Sequence, residues 1–373
     1  MKNVIVLGST GNVGIQVLDV ISQLEDYTVI GLSAKGTNLD LLKEQIKKFS
    51  PKIVAVDNNA DLLFKEAKNV DFLFGEEGIS KLASLSEANI VIVAISGMAA
   101  LKPTLAAIRS KKIIGLSNKE IIVSAGEYLI KEKFLSGASI IPIDSEHSAI
   151  FQCLDSRPLN EVKRIVLTAS GGPFLYKDVD NVAYEDVFKH PTWKMGPKVT
   201  VDSSTLINKG LELMEARWLF NIEPRKIEAI VHPQSLLHGM VEFCDGNIIA
   251  HMSPTSMKYP IQYALSYPKR LPLSSSYFDF LKGNVLEFFP IDEKKFRGFS
   301  LAKKVMMEEG SYPCCFNAAN EILVSRFLRK EISWKDIVIK LEKIIEEHIK
   351  KQISSLDDVL VIDKESRLRA LSI

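Results

Sequence analysis

Short apolar runs rich in β-branched residues recur early in the chain, at residues 4–7, 27–32, 53–56, 90–94, 112–116 and 140–143. Runs of this length and composition read as buried strands of a parallel sheet. Stretches of helical period separate them: Ile15, Val17, Leu18, Val20 and Ile21 follow the first run, and another helix opens near Leu101-Lys102-Pro103. Alternating strands and helices predict a doubly wound α/β sheet. Residues 203–220 read as one helix, largely apolar, with Ser204, Asn208, Lys209, Glu212 and Glu215 sharing one side. Asp245-Gly246 between residues 240–243 and 248–250 signals a hairpin. Prolines 254, 260, 268, 272 and 290 punctuate a stretch with little period, which reads as a linker. From Ser300 the pattern is helical, with Ser333/Asp336 and Ser355/Asp358 as helix starts. Asn317 to Glu321 reads as the opening of the central helix, its polar side chains acting as caps. The expected organisation is a nucleotide-binding domain at 1–143, an α+β domain at 144–270, a linker at 271–299 and a helical bundle at 300–373.

The turn after the first strand is Gly8-Ser9-Thr10-Gly11-Asn12-Val13-Gly14. Strand, glycine-rich turn and helix form the first unit of a Rossmann-like dinucleotide site, where glycines admit the pyrophosphate and the helix start supplies N–H donors. The glycines are spaced three and three rather than two and three; the alternative is a tight βα turn that binds nothing. The second strand would end in a carboxylate if the cofactor were NAD. The chain instead has Lys35-Gly36-Thr37-Asn38. A lysine that can meet a 2′-phosphate favours NADP; a solvated loop lysine is the plainer reading. Ser117-Asn118-Lys119-Glu120 sits at another strand's carboxyl end, suited to a substrate through Lys119 and a cofactor through Asn118 and Glu120, or to a helix cap.

The run at 140–143 ends abruptly in Asp144-Ser145-Glu146-His147. Ligands of such sheets bind beyond the strands' carboxyl ends. If the chain stays extended there, both carboxylates leave on the same side and call for a cation between them. Oxygen-only ligands point to magnesium or manganese. The competing reading is a loop with a helix N-cap. Glu212, on the polar stripe of the later helix, can supply a third carboxylate; a surface stripe with a Lys209–Glu212 pair is the alternative. Ser170-Gly171-Gly172 follows another strand and can form an anion nest. The breaker-rich loop near 186–198, with His190, Trp193 and Gly196, is either a plug on the core or a lid.

The 47 basic and 46 acidic residues leave a net charge of +1, with no electrostatic footprint for nucleic acid or a membrane surface. The four cysteines suggest neither a disulfide framework nor a zinc site, so a reducing cytoplasm fits. The first residues run straight into a strand without the features of a signal peptide.

Taken in order, GSTGNVG, SNKE, PIDSEHSAIFQ, TASGGPF, HPTWKMGPKVTVDSSTLINKGLELMEARWLF, HPQS and NAANE resemble the 1-deoxy-D-xylulose 5-phosphate reductoisomerase family over nearly the whole chain. Asn12-Val13 stands where that pattern has Ser-Ile, and the Lys35-Gly36-Thr37 segment differs in length from it. The resemblance implies NADPH and a divalent cation (Mg2+ or Mn2+, with Co2+ possible) as cofactors, a phosphorylated ketose as substrate, and a homodimer paired through the hairpin's sheet. It implies that Asp144, Glu146 and Glu212 hold the metal and that Lys119 and Ser145 contact the substrate backbone. Ser170, Ser203, Asn208 and Lys209 would hold its phosphate, with His190 closing over it and Trp193 as apolar cover. Thr10, Gly11, Asn12, Val13, Gly36, Thr37, Asn38, Asn118, Glu120, Gly196 and Met257 would meet the cofactor. Glu215, Ser235 and His238 would be supporting. Two other readings stay open: a plain NADP-dependent dehydrogenase of another phosphorylated polyol, which has no use for three carboxylates, and a non-catalytic NADP sensor, which needs no metal.

Overall fold

The computed structural model describes residues 1–57, 69–193, 195–275, 277–283 and 285–373. They fall into two compact units, each built from separate stretches of chain.

The first unit comprises Met1–Ile121, Leu129–Ser148 and Ser256–Ser276. Its sheet contains β1 (Lys2–Leu7), β2 (Tyr27–Ala34), β3 (Ile53–Val56), β4 (Asp71–Phe74), β5 (Ile90–Val93), β6 (Ile113–Leu116) and β7 (Ser139–Pro142). The order is β4-β3-β2-β1-β5-β6-β7, every pair parallel. The expected doubly wound sheet is therefore present, and its order reverses between β1 and β5. That reversal opens a crevice at the carboxyl ends of these strands, where the glycine turn lies. The proline-punctuated stretch holds a helix, Lys258–Ser266, that the pattern did not announce. Pro260 falls in its first turn, where a missing N–H costs little. This helix is tied to the sheet unit by the Lys258–Asp19 ion pair at 2.5 Å and by the Tyr27 hydroxyl, which donates to the Leu265 carbonyl at 3.0 Å.

The second unit comprises Ile122–Tyr128, Ala149–Thr255 and Tyr277–Ile373. Its sheet contains β8 (Val162–Ala169), β9 (Ile227–Val231), β10 (Leu237–Phe243) and β11 (Ile248–Met252), in the order β11-β10-β8-β9. The β8–β9 pair is parallel and the others antiparallel. Asp245-Gly246 turns the expected hairpin, with Gly246 at φ 84° and the Asp245 carboxylate accepting from the Asn247 amide. Val231 and Phe289 exchange backbone hydrogen bonds at 2.9 and 3.0 Å, which stitches the linker to β9.

The C-terminal helices are Arg297–Glu308, Tyr312–Leu328, Trp334–Glu346 and Leu356–Ser372. Ser333 with Asp336 and Ser355 with Asp358 form complete capping boxes, as expected. Asn317 and Asn320 are not caps. The central helix begins at Tyr312, so both lie fully buried inside it. Asn320 donates to Asp202 at 2.8 Å, and Asn317 donates to Ser124 and Glu321.

The stretch 203–220 is also not one helix. Pro197–Ser204 ends, and Ile207–Leu219 begins after Leu206, which sits at φ 55° in the left-handed region. The Thr205 hydroxyl accepts from the Ile207 amide at 3.3 Å, a local bond that competes with the helical ladder. Ser204 accordingly leaves the polar stripe: it donates to the Val201 carbonyl and accepts from the Trp334 indole.

Gly210 lets the helix Ile207–Leu219 approach Arg297–Glu308. A Cβ there would overlap the Cβ of Ala302, an atom that moves only with its backbone. Gly210→Ala should therefore lower stability by about 1–3 kcal/mol despite its better helix propensity. Adding Ala302→Gly should restore most of the loss in denaturant unfolding. A Gly210→Ala protein as stable as the parent would disprove the close-packing account.

Candidate functional site

In the first unit, the glycine turn leads into the helix Asn12–Ile21, whose N-cap is Gly11. No side chain caps that helix start and no acid lies in its first turn. Its N-terminal amides thus suit an anion. Gly8 lies at φ 82°, and a Cβ there would come within 2.6 Å of the Ala94 carbonyl oxygen, so β1 and β5 close up only around glycine. Beyond β2, Lys35 is exposed and Gly36 turns the chain at φ 86°. Asn38 and Asn118 cap the helices Leu39–Phe49 and Lys119–Ser136, accepting from Leu41 and Ile121. Asn118 also donates to the carbonyls of Ile95 and Gly97, so its side chain holds two segments of the crevice wall in place. Met257 sits at the N-cap of the helix Lys258–Ser266.

The chain does not stay extended across Asp144 and Glu146. A helix, Ser145–Leu154, starts at once, and Ser148 donates its amide to the Asp144 carbonyl. Residues three apart then share a side. Accordingly, Asp144 meets His147, with Oδ1 3.6 Å from Nδ1, and its other oxygen takes Lys119 Nζ at 2.8 Å. Burial pushes the Asp144 carboxyl up, but Lys119, His147 and Glu146 outweigh it and hold it well below the usual carboxylate range. The Ser145 hydroxyl donates to Glu146 at 2.6 Å. His147, fully buried, had no assigned role in the sequence reading; its spacing from Asp144 was the available signal.

In the second unit, the loop after β8 turns through Gly171 and Gly172, at φ 86° and 67°. A Cβ on Gly172 would come within 2.6 Å of the Ser203 carbonyl oxygen, so this turn lies directly against the helix Pro197–Ser204. His190 joins the two segments: its Nε2 is 3.1 Å from both Ser170 Oγ and Ser203 Oγ. Its Nδ1 accepts from the amides of Thr192 and Trp193. A nitrogen accepting amide protons carries none itself, so the neutral ring holds its proton on Nε2, toward the serines. Burial lowers the His190 pKa and favours that neutral form. Trp193 lies beside His238, ring centroids 6.3 Å apart, and Gly196 caps the helix Pro197–Ser204. Lys194 of this loop lies outside the described residues.

On the next helix, Lys209, Glu212 and Glu215 are all at most 4% exposed. Asn208 and Lys209 both donate to the Glu212 carboxylate. The polar stripe is therefore interior, not a surface stripe.

His238 is buried and donates from Nε2 to the Ser253 carbonyl at 3.1 Å. Burial brings its pKa down to about 4. An unfolded histidine titrates near 6.5, so the unfolded chain binds more protons between these values. Stability should thus be complete above about pH 6.5 and fall by about 1.4 kcal/mol per pH unit as pH drops toward 4. His238→Gln should flatten that slope in unfolding measurements at fixed ionic strength. An unchanged slope would exclude His238 as its source.

Comparison with known proteins gives matches along the whole chain. Residues 4–126 match a model of 1-deoxy-D-xylulose 5-phosphate reductoisomerase. Residues 140–220 and 252–369 match two models of the C-terminal domains of the same enzyme. The 1-deoxy-D-xylulose 5-phosphate reductoisomerase of Chlamydia trachomatis serovar L2 is 48% identical over 378 residues, covering 99% of each chain. The Chlamydia caviae protein of that name is also 48% identical, over 100% of both. Among solved structures, the Zymomonas mobilis reductoisomerase in complex with NADPH superposes with a TM-score of 0.92 at 38% identity, covering 100% of this chain and 98% of that one. A DOX-P reductoisomerase in complex with NADPH, fosmidomycin and magnesium gives a TM-score of 0.94 at 32% identity, with the same coverage.

Proposed function

The chain belongs to the 1-deoxy-D-xylulose 5-phosphate reductoisomerase family, and from that premise we propose how its own residues divide the work. The protein is an NADPH-dependent, divalent-metal-dependent oxidoreductase that rearranges and reduces 1-deoxy-D-xylulose 5-phosphate to 2-C-methyl-D-erythritol 4-phosphate. The observation that carries the assignment of residues is the interior polar stripe, where a buried carboxylate, an ammonium and an amide share successive turns of one helix.

Asp144, Glu146 and Glu212 are the metal ligands in this reading. The donor set fits a hard cation, magnesium or manganese with cobalt as a substitute, because it offers carboxylate oxygen alone. Glu212 also fits as an anion already taken out of water and balanced by Lys209. When bound, the cation polarises the substrate ketone and steadies negative charge on its oxygens, while NADPH supplies the hydride. With the carboxylates engaged on a cation, Lys119 and Lys209 are available to the substrate. Lys119 and Ser145 then hold its backbone oxygens. Ser170, Ser203, Asn208 and Lys209 grip its phosphate, far from the reacting carbons, and that grip supplies binding energy for alignment. His190 presents Nε2–H to the phosphate and needs no change of protonation to do so. Trp193 covers the site and excludes water. By role, the stretches 1–143, 144–270 and 300–373 are cofactor-binding, catalytic and supporting, with 271–299 as linker and 186–198 as lid; as compact units the boundaries differ, since 256–276 joins the first unit and 149–255 shares the second with 277–373.

The second sheet pairs protomers into a homodimer; this reading is supported by β11, an edge strand that exposes Ile248 and Ile249. The protein works in the cytoplasm; among the described residues, no helix is long and apolar enough to cross a membrane.

Replacing Glu212 by Gln keeps its size and removes its charge. Manganese affinity should fall by at least about tenfold, while NADPH affinity stays at the parent value. Glu215→Gln should keep manganese binding. Unchanged manganese titration in Glu212→Gln would show the metal ligands to be misassigned.

The absence of a carboxylate after β2, with exposed Lys35 in its place, predicts a preference for the 2′-phosphorylated cofactor. The ratio kcat/KM should be higher for NADPH than for NADH by roughly tenfold or more. Equal ratios would sink this reading.

A further inference from the structure

Gln45 lies on the helix Leu39–Phe49, flanked by the buried apolar residues Leu42 and Ile46. It is itself 6% exposed. Its Nε2 donates to the Ser9 carbonyl at 2.9 Å, across 36 residues of sequence. Its Oε1 has no hydrogen-bond partner among the described residues. A long polar side chain with half of its amide unsatisfied in the core is a net cost, because an apolar residue would fill the same place without it. Something other than core stability therefore accounts for Gln45.

Ser9 belongs to the glycine turn. The preceding side of that turn is already held: Gly8 donates to the Ser33 carbonyl and hydroxyl at 3.0 and 3.1 Å, and Ser9 donates to the Ser33 carbonyl at 2.8 Å. Gly11 donates to the Gly8 carbonyl at 3.1 Å and closes a four-residue turn; the central peptide of such a turn, here Ser9–Thr10, can lie in either of two orientations with the closing bond intact. In a trans peptide, C=O and N–H point in opposite directions. A donor that holds the Ser9 oxygen toward the helix Leu39–Phe49 thereby aims the Thr10 N–H away from that helix.

We infer that Gln45 is a positioning residue for the cofactor: it orients the Ser9–Thr10 peptide so that the Thr10 amide meets the pyrophosphate of NADPH. The inference rests on the reading of the glycine turn as the NADPH site.

The test compares the full-length parent with Gln45→Leu and Gln45→Glu. NADPH dissociation constants come from nicotinamide fluorescence and calorimetry, and Tm is measured without ligand. Gln45→Leu should bind NADPH about tenfold more weakly, the worth of one hydrogen bond, while its Tm equals or exceeds the parent's. At saturating NADPH, kcat and the KM for the ketose phosphate should match the parent. In Gln45→Glu, the ionised acid has no proton to give the Ser9 oxygen, so binding should be weak at pH 8. It should recover as pH falls and the acid gains an O–H, while the parent's affinity over the same range is the control. Unchanged NADPH affinity in Gln45→Leu overturns the inference. So does a joint loss of Tm, NADPH affinity and substrate KM, which would mark Gln45 as merely structural. A pH-independent defect in Gln45→Glu counts against it as well. A parent that fails to bind NADPH would instead overturn the reading of the glycine turn.

Discussion

A carboxylate removed from water must be paired, and that constraint shapes the surroundings of Glu212 in one unit and of Asp144 in the other. Glu212 is nearly inaccessible and is held by Lys209 and Asn208 on its own helix. Asp144 is held by Lys119 and His147 within its own unit. Leaving either anion unpaired would cost several kcal/mol, and a buried pair only roughly balances its own desolvation. These groups are therefore poor candidates for stability and good candidates for exchange. Under the proposed roles, a cation would take over the carboxylates without leaving bare charge behind, and each released ammonium would have an anionic or polar substrate group to turn to. In the proposed mechanism, two lysines thus have one role without substrate and another with it.

Much of this was legible in the sequence, though not always for the stated reason. The parallel sheet could be read because both faces are covered, leaving uninterrupted apolar runs. The glycine turn could be read because close backbone approach admits no Cβ at Gly8. Asp144 and Glu146 were singled out by an argument from pleated geometry, but the chain turns helical immediately. The pairing that geometry then creates is Asp144 with His147, a contact the strand argument could not find. The join at Thr205-Leu206 was hidden because an apolar helical period runs straight through it. A hydroxyl and one left-handed residue re-aim the chain there without disturbing the pattern. The phosphate-binding roles of Ser170, Ser203 and His190 came from resemblance: the turn after one strand and the breaker-rich loop suggested an anion nest and a lid, but no period shows that His190 joins them to Ser203 at the end of a helix. Gln45 was missed altogether, since a glutamine on an amphipathic helix reads as solvent-facing.

The histidines divide by what surrounds them. His190 sits between two hydroxyls and two amides, an environment that specifies one tautomer and makes the ring a directional donor. His238 is buried between Trp193 and His251, bonds to one carbonyl and feels Lys209 and His232, all of which except that bond disfavour its charged form, so its proton balance registers chiefly in folding. Neither arrangement resembles a general base waiting at neutral pH, which needs an unoccupied ring nitrogen facing the proton to be moved.

The helix Lys258–Ser266 has a further consequence when the chain is considered in the order in which it is made. It completes the first unit, yet residues 149–255 of the second unit intervene before it. Its buried Ile261, Ala264 and Leu265 belong to the core of a sheet whose strands emerge long before them. At about 5–20 residues per second, a nascent sheet waits on the order of ten seconds for its last covering helix. A sheet that assembled in that interval would leave the surface under Ile261, Ala264 and Leu265 open. For such a sheet, the speed of synthesis through 149–255 and the access of chaperones to that surface would bear on yield, an effect that no substitution in the mature site would reveal.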